Sequence, residues 1–160
     1  MKLDRLDIKI LSVLQREGRI TKVRLADEIG LSPSPCMERV RRLENAGYIC
    51  GYRAEIDLAK LSAVATVFVE VTLKSHEATD FERFERAMAD CPWVSECYAI
   101  GGGIDYLLKV VARDITHYQA LMDDFLEQDI GIGRYFTYVV TKPVKHDPGP
   151  GPEILTDSAK

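Results

Sequence analysis

The sequence predicts an α+β protein in two parts, a helical N-terminal third and a remainder that contains β-strands. Apolar residues recur at helical spacing in three segments before residue 47, whereas alternating, valine-rich segments begin only after residue 62. The charge also changes along the chain. Residues 1–53 hold 11 basic and 7 acidic side chains, a net of +4, and the other 107 residues hold 10 and 18, a net of −8. We therefore expect two domains, of which only the first has a basic bias.

The first predicted helix lies within residues 3–18, LDRLDIKILSVLQREG. Its apolar stripe, and the residues that widen it, are Leu3, Leu6, Ile10 and Leu14, with Ile8, Leu11 and Val13. We expect this helix to support the two that follow.

Two short helices around a tight turn are predicted over residues 21–46. Gly30 can take the left-handed conformation that ends the first of them. The next helix is predicted to begin near Ser34 or Pro35, because proline has the fixed φ of a first helical turn. Ser32 and Ser34 offer side-chain oxygens to unpaired amides, and Glu38 would complete a start similar to a capping box. The apolar residues of the first helix are Val23, Leu25, Ala26 and Ile29.

The third predicted helix has an apolar face and a polar face. Its inward positions are Cys36, Val40, Leu43 and Gly47, and its outward positions are Ser34, Glu38, Arg41, Arg42 and Asn45. An α-helix fits the major groove of DNA, where arginine pairs with guanine and a carboxylate accepts from cytosine. The candidates for reading bases are therefore Ser34, Glu38, Arg41 and Arg42.

Phosphate contacts are expected from basic residues beside that polar face, namely Lys22, Arg24 and Arg39. With the residues of the turn, the predicted DNA-binding set is Lys22, Arg24, Ser32, Ser34, Pro35, Glu38, Arg39, Arg41 and Arg42. The alternative interpretation is that the third helix has an ordinary solvated face and that these charges are surface charge.

Four segments are predicted along the chain. Residues 1–53 resemble a winged helix-turn-helix domain, since residues 48–56 alternate as the short strand pair of a wing would. Residues 54–62 are predicted to be a linker, and residues 63–145 the second domain. The tail, residues 146–160, is rich in proline and glycine, which predicts either disorder or an extended arm.

The second domain is predicted to have the order βαββαβ, the ferredoxin-like arrangement of a four-stranded antiparallel sheet with two helices on one face. The strands are predicted at residues 67–73, 94–100, 106–112 and 134–141. The first helix, capped by Thr79 or Asp80 and ended by Pro92, turns inward Phe81, Phe84, Ala87 and Met88. The second helix, with Asp114 or Thr116 near its start, turns inward Ile115, Tyr118, Leu121, Met122 and Phe125.

The sheet face away from the helices also needs a cover. We interpret the apolar residues of two strands as marking both faces of the sheet; they are Val67, Val69, Val71, Tyr106, Leu108 and Val110. Burial against a second subunit is the simplest explanation. An arm in which Ile154 and Leu155 dock on a neighbouring subunit is a further hypothesis.

Three segments occur in a characteristic order: LDRLDIKILSVLQREGRI, LADEIGLSPSPCMERVRRLENAGYI and GGGIDYLLKV. With them, nearly all of residues 2–145 resembles the family of leucine-responsive regulatory protein and AsnC, the feast-or-famine transcription regulators. The resemblance implies a winged helix-turn-helix that binds double-stranded DNA and a ferredoxin-like domain that dimerises through its sheet. It also implies assembly of homodimers into higher oligomers, often octamers, with an effector, commonly an amino acid, bound between dimers.

Carried over from the family, the effector pocket involves Gly101, Gly102, Asp105 and Tyr106, with Tyr98 and Thr137 as neighbours. The chemistry suits an amino acid, because glycines let backbone amides approach a carboxylate and an ionised Asp105 accepts from an ammonium group. The alternative is a flexible hairpin in which Asp105 caps a turn.

The resemblance thus implies a sequence-specific regulator of amino-acid metabolism or transport, and not an enzyme, since no nucleophile, general acid or cofactor motif accompanies Asp105. Two alternatives stay open. One is an architectural DNA-binding protein, for which a more basic chain is expected. The other is a small-molecule sensor or enzyme on a ferredoxin-like fold.

No cofactor or metal site is expected. The histidines are isolated, and the cysteines lack CxxC spacing; they are His76, His117 and His146, and Cys36, Cys50, Cys91 and Cys97. Reduced thiols are expected, with a redox switch as the alternative. The charged N-terminus is unlike a signal peptide, and no apolar run approaches the ~20 residues of a membrane span, so a cytoplasmic location is expected.

Overall fold

The computed structural model describes residues 1–146 and 149–157. The described residues form two compact units. One comprises Met1–Glu55 together with the segment that follows Val144, and the other comprises Ile56–Val144. The elements in chain order are α1 (Arg5–Arg16), α2 (Lys22–Ile29), α3 (Pro33–Asn45), a 3-10 turn (Leu58–Lys60), β1 (Ala65–Leu73), α4 (Ala78–Asp90), β2 (Val94–Ala99), β3 (Tyr106–Ala112), α5 (Ile115–Glu127), β4 (Ile132–Val139) and α6 (Pro152–Asp157).

The three N-terminal helices enclose a small apolar core. Its buried side chains are Ile10, Val13, Leu25, Ala26, Ile29, Cys36, Val40 and Leu43. Gly30 has φ +84° and ends α2 as predicted, because a left-handed residue lets its amide return to the carbonyl groups of Ala26 and Asp27. The prediction that Val23 and Gly47 lie on the apolar faces of these helices is wrong. Val23 is exposed, and Gly47 is an exposed left-handed residue beyond the end of α3.

Helix α3 begins at Pro33, one or two residues before the predicted start, with Ser32 as its N-cap. The predicted side-chain cap is absent at Ser32, because Pro35 stands at the third helical position and has no N–H to donate. Backbone stiffness at the two prolines replaces capping here. The capping box lies instead at α1, where the amide of Asp7 donates to Asp4 at 2.9 Å and the amide of Asp4 donates to Asp7 at 3.1 Å.

The predicted strand pair over residues 48–56 is not formed; this segment is irregular. An isolated two-stranded hairpin is marginal, and most of these side chains are exposed, so no apolar face supports a hairpin. Two tyrosines connect the segment to the N-terminus and to α3. The Tyr48 hydroxyl donates to the Met1 carbonyl at 3.1 Å, and the Tyr52 hydroxyl donates to Glu44 at 3.0 Å. Burial and the hydrogen bond to Glu44 raise the pKa of Tyr52 to about 12.

The second unit has the predicted βαββαβ order and is an antiparallel sheet in the order β2-β3-β1-β4. Its core lies between one sheet face and the helices α4 and α5. The β1–β3 register pairs Val67, Val69 and Val71 with Val110, Leu108 and Tyr106. Paired residues share a face, and all six are buried, so the prediction that they mark both faces is wrong.

The opposite sheet face is aromatic and exposed. The register places Phe68 beside Tyr138, Glu70 beside Phe136, and Tyr98 beside Leu107. The side chains of Phe68, Tyr98, Phe136 and Tyr138 are 36–52% exposed. Four large apolar side chains on one open sheet face are unusual for an isolated domain. We call this surface the outer sheet face.

Several predicted element ends differ from those observed. Glu77, not Thr79 or Asp80, is the N-cap of α4, and it makes no side-chain cap. Asp114 caps α5 as predicted, by accepting from the His117 amide at 2.7 Å. Ile115, the first residue of α5, is 44% exposed rather than inward, because the inward face begins at Tyr118.

The tail also differs from the prediction of no regular structure, because Pro152–Asp157 forms the short helix α6. This helix packs on α1, where the buried hydroxyl of Ser12 donates to the carboxylate of Glu153. Ile154 and Leu155 are 65% and 66% exposed. The remaining part of the predicted tail, residues 147, 148 and 158–160, lies outside the described residues.

Strand β4 begins at Ile132, two residues before the predicted start, and therefore includes Gly133. A Cβ atom on Gly133 would lie 3.0–3.1 Å from backbone atoms of Leu73 and Lys74. The Lys74 amide donates to the Gly131 carbonyl at 2.9 Å, which holds the two backbones together. Glycine is needed here for close approach.

Replacing Gly133 by alanine is expected to destabilise the second unit by about 1–3 kcal/mol, because neither backbone can move away easily. Urea unfolding followed by tyrosine and tryptophan fluorescence measures the effect. The matched control is Gly103→Ala, since nothing lies within 4 Å of its Cβ position. Equal stability of the two variants would contradict the close-approach explanation.

Candidate functional site

The exposed face of α3 carries the groups predicted to read bases. Ser34, Glu38 and Arg41 are exposed on this helix. Among the described residues, the side chain of Arg41 has no ion-pair or hydrogen-bond partner, and neither does that of Glu38. Their donors and acceptors are therefore open to a ligand outside the chain. We call Ser34, Glu38 and Arg41 the reading face.

The other predicted reader, Arg42, is bound inside the unit. Its Nη2 donates to both carboxylate oxygens of Asp7 on α1, at 2.9 Å each. Arg39, predicted to contact phosphate, also donates to Asp7 at 2.8 Å and to Asp4 at 2.6 Å. Asp7 is 1% exposed. A buried carboxylate requires such partners, because its desolvation is otherwise uncompensated.

This cluster of Asp4, Asp7, Arg39 and Arg42 fixes α3 against α1. The hydrogen bond from the Asp7 amide, followed by that from Arg39, holds the pKa of Asp4 below its usual value. The hydrogen bonds to Asp4 and Asp7 raise the pKa of Arg39. The sequence analysis missed Asp7, although a signal was present: an acidic residue stands within the apolar stripe, four positions after Leu3 and three before Ile10.

The remaining predicted DNA-binding residues lie around the turn. Arg24 forms a bidentate pair with Glu17 at 2.9 and 3.0 Å and lies 3.8 Å from Glu28. Lys22 is exposed at the start of α2 and has no ion-pair partner among residues 1–146 and 149–157. Ser32 and Pro35 are exposed at the start of α3. Of the predicted phosphate contacts, only Lys22 is thus unpaired within the described chain.

Asp105 is the centre of the predicted effector pocket. Its Oδ2 accepts from the Leu73 amide at 2.8 Å, and its carboxylate contacts Nε2 of His76 at 3.0 Å. Its backbone also joins β1 to the loop, because its amide donates to Val71 and its carbonyl accepts from Ile100. Desolvation raises the pKa of Asp105, but the Leu73 amide and His76 outweigh it, so the pKa is lowered. The carboxylate is ionised at neutral pH.

The other predicted pocket residues do not converge within one chain. Gly101 and Gly102 are exposed in the β2–β3 loop, and Gly102 has φ +143°. Tyr98 lies on the outer sheet face of β2, whereas Thr137 lies on β4, at the opposite edge of the sheet, and its hydroxyl meets that of Tyr118 at 2.6 Å. The sequence placed Thr137 beside Tyr98 only through the family resemblance.

Tyr106 faces the interior rather than the loop. Its hydroxyl donates to Glu85 of α4 at 2.7 Å, and its side chain is 2% exposed. Burial and then Glu85 raise its pKa well above the ordinary range. Together with Met88 and Cys97, Tyr106 lines part of an open cleft of about 370 Å³ between α4 and β2. The sequence analysis missed Glu85 and His76, since neither contact follows from local spacing.

The described part of the chain has no metal-binding cluster, no disulfide and no membrane-spanning helix. Residues 1–146 and 149–157 contain no cluster of three or more His, Cys, Asp or Glu side chains suited to a metal. All four cysteines are free, and burial raises the pKa of the Cys36 and Cys97 thiols. No described helix has the length and apolar composition needed to cross a membrane.

The geometry defines a class of protein, in which a helix-turn-helix unit presents a polar reading helix and a separate sheet domain carries a glycine loop with an ionised carboxylate. Family models give the same division. "Winged helix-turn-helix DNA-binding" matches residues 3–49, and "Lrp/AsnC ligand binding domain" matches residues 66–150. The chain belongs to the Lrp/AsnC family of transcriptional regulators.

Individual relatives cover almost the whole chain. The transcriptional regulatory protein DoeX of Halomonas elongata is 56% identical over 145 residues, 91% of this chain and 92% of that protein. The leucine-responsive regulatory protein of Escherichia coli K12 is 43% identical over 143 residues, 89% and 87% of the two chains. A regulator from Neisseria meningitidis, solved as a complex with L-Met, is 32% identical with a TM-score of 0.89, covering 96% of this chain and 99% of that one.

Removing the charge of Asp7 should loosen α3. Asp7→Asn is expected to lower the free energy of unfolding of the N-terminal unit by about 2–3 kcal/mol, since two guanidinium groups lose their buried anion. Thermal unfolding followed by circular dichroism measures this loss. Asp27→Asn, on the exposed side of α2, is the matched control and should leave stability within about 0.5 kcal/mol. An equally stable Asp7→Asn variant would mean that packing alone fixes α3.

Proposed function

We propose that this regulator recognises its DNA sites through the reading face of α3, with Ser34, Glu38 and Arg41 directed at base edges in the major groove. The observation that carries this proposal is the division of the α3 arginines. Arg39 and Arg42 are bound to α1, and Arg41 alone of the three is exposed without a partner among the described residues. A guanidinium that needs no rearrangement before binding is suited to bidentate pairing with guanine.

Contacts to the DNA backbone are assigned to residues around the turn. Lys22 supplies an unpaired charge, and the Ser32 hydroxyl, which caps no helix amide, is open to a phosphate. Pro35 presents an apolar surface beside them. Arg24 contacts phosphate only by leaving Glu17, which weakens its contribution. Arg39 and Arg42 act by positioning the helix that carries Arg41.

A second copy of the chain is the proposed cover of the outer sheet face. Its exposed aromatic side chains on β1 and β4, Phe68, Phe136 and Tyr138, would lose solvent-accessible area in a homodimer. A two-fold dimer presents two reading faces, and these suit a pseudo-palindromic site with half-sites about one helical turn apart. Higher assembly of such dimers, with the octamer as the family precedent, follows as a further proposal.

The effector is proposed to be an amino acid held at Asp105 and the Gly101–Gly102 backbone. Asp105 is ionised and adjoins a loop of glycines, so it can accept from an ammonium group while loop amides face a carboxylate. The Neisseria relative was solved with L-Met, and the Escherichia coli relative is named for its response to leucine. These relatives support an amino-acid effector and, through it, control of amino-acid metabolism or transport.

Such an effector regulates only if it binds one assembly state or DNA-bound state better than another. Because Tyr98 and Thr137 lie at opposite edges of one sheet, a site that uses both must combine two chains. We propose that these two chains belong to different dimers, as the family resemblance implies, so that the complete pocket lies between dimers. Effector binding at the residues of one chain then depends on the position of the neighbouring chain.

Arg41→Ala is expected to weaken binding to a specific site by about 1–3 kcal/mol and to relax base preference, because one bidentate contact is lost. Lys22→Ala should weaken all DNA alike and reduce the salt slope by about 1. Gel-shift titrations measure both, with the DNA upstream of the protein's own gene, random DNA and several salt concentrations.

The wild type is titrated with both DNAs in parallel, with and without each standard amino acid. Preference for the upstream DNA that changes with one amino acid identifies the effector. Equal losses on both DNAs for Arg41→Ala would remove this residue from the base-reading set. Equal wild-type affinity for both DNAs would favour an architectural role.

Phe136→Asp is expected to convert the proposed dimer into monomers, because a charge would replace an exposed aromatic ring of the outer sheet face, on the edge strand β4. Sedimentation velocity measures the mass. Ile115→Asp is the control, since Ile115 is similarly exposed but lies at the start of α5. An unchanged mass for the folded Phe136→Asp variant would exclude this face as the dimer contact.

A further inference from the structure

The carboxylate of Asp105 already has a side-chain partner within its own chain. Nε2 of His76 lies 3.0 Å from Oδ1 and 3.1 Å from Oδ2 of Asp105. The imidazole ring also stacks on Phe81, with ring centroids 5.8 Å apart and an interplanar angle of 15°. The remaining contact of the carboxylate is the Leu73 amide, which binds Oδ2 at 2.8 Å.

We propose that His76 and the ammonium group of the effector compete for the carboxylate of Asp105, so that His76 sets effector affinity and makes it depend on pH. This inference rests on the proposed effector site. It adds a residue and a mode of regulation that the glycine-aspartate loop alone does not imply.

Geometry supports competition rather than joint binding. Both oxygens of Asp105 are within 3.1 Å of one nitrogen, and the side chain is only 19% exposed. Little of the carboxylate surface is left for the ammonium group of a ligand. The Leu73 amide, in contrast, is part of the backbone at the end of β1 and stays in place.

The side chain of His76 is able to move away from Asp105. Its side chain is 62% exposed and follows the end of β1, outside any helix or strand. Moving it away forfeits one exposed ion pair and one ring stack, which are weak interactions. Asp105 itself remains fixed by its backbone hydrogen bonds to Val71 and Ile100. The ligand therefore displaces the histidine and not the aspartate.

The charge of the imidazole determines the direction of the pH effect. A protonated His76 attracts Asp105 and opposes an ammonium ligand, whereas a neutral His76 competes less. Of the other charged residues near this segment, Lys74 pairs with Asp129 at 2.6 Å and Asp80 of α4 pairs with Arg83 at 3.1 Å. Glu77, the residue after His76, is exposed and has no ion-pair partner among the described residues. Phe81, the α4 residue against the ring, is uncharged. Asp105 is thus the ionisable partner that couples His76 to the ligand.

The test uses the full-length protein and isothermal titration calorimetry with L-methionine, L-leucine and the other standard amino acids. For an amino acid that binds, wild-type affinity should rise as the pH increases from about 6 to 8, the range in which histidine loses its charge. His76→Gln should bind about 2- to 5-fold more tightly at the acidic end, as expected for removal of an exposed ion pair, and should lose this pH dependence. His146→Gln is the matched control, since His146 faces Glu55 at 3.6 Å in the other unit.

A second readout is the imidazole NMR signal. The saturating amino acid should shift the resonances of His76 and leave those of His146 unchanged. Asp105→Asn should abolish amino-acid binding while the variant stays folded. If binding requires Asp105 but His76→Gln behaves as wild type and the His76 signals do not move, the competition is refuted and the effector site stands. If amino acids bind independently of Asp105, or none binds, the effector site fails and the competition fails with it.

Discussion

The buried carboxylate of Asp7 is the constraint on which the DNA-binding unit depends. It is 1% exposed at the first turn of α1, where it completes the capping box with Asp4 and binds Arg39 and Arg42 of α3. One side chain therefore starts α1 and positions the reading helix. Because a buried anion requires partners of opposite charge, two arginines of α3 are directed inward. This arrangement distinguishes Arg41, which has no ion-pair or hydrogen-bond partner for its side chain among the described residues, from Arg39 and Arg42.

A similar division separates the two faces of the sheet. The face toward α4 and α5 is filled by valine, leucine and aromatic side chains that form the core of this unit. The outer sheet face carries exposed aromatic rings between polar pairs, such as Tyr138 with Glu70 and Lys109 with Glu96. The polar pairs fix orientation and the rings supply apolar area, a combination that suits association of two identical surfaces.

In the ligand-binding domain, Asp105 stabilises the local backbone and also supplies a negative charge. Its backbone and its carboxylate close the end of β1 through Val71 and Leu73, and the same carboxylate carries a charge beside the glycine loop. The two interpretations offered by the sequence, a turn cap and an effector ligand, are therefore compatible in geometry. His76 is in contact with this carboxylate and is itself 62% exposed, which is the basis of the competition proposed above.

The sequence by itself determined most of the helical phases, the βαββαβ order, the limits of β3 and the family, because repeats of 3.6 and 2 residues and short motifs are local properties. Only the tertiary structure decided which charged side chains are paired within the described chain. Arg42 and Asp7 are 35 positions apart, and His76 and Asp105 are 29 apart, so no local pattern predicts either pair. The same reason applies to the sheet faces and to α6, whose contact with Ser12 spans 141 positions. Partners of long or buried polar side chains depend on how distant segments meet, and packing alone settles that.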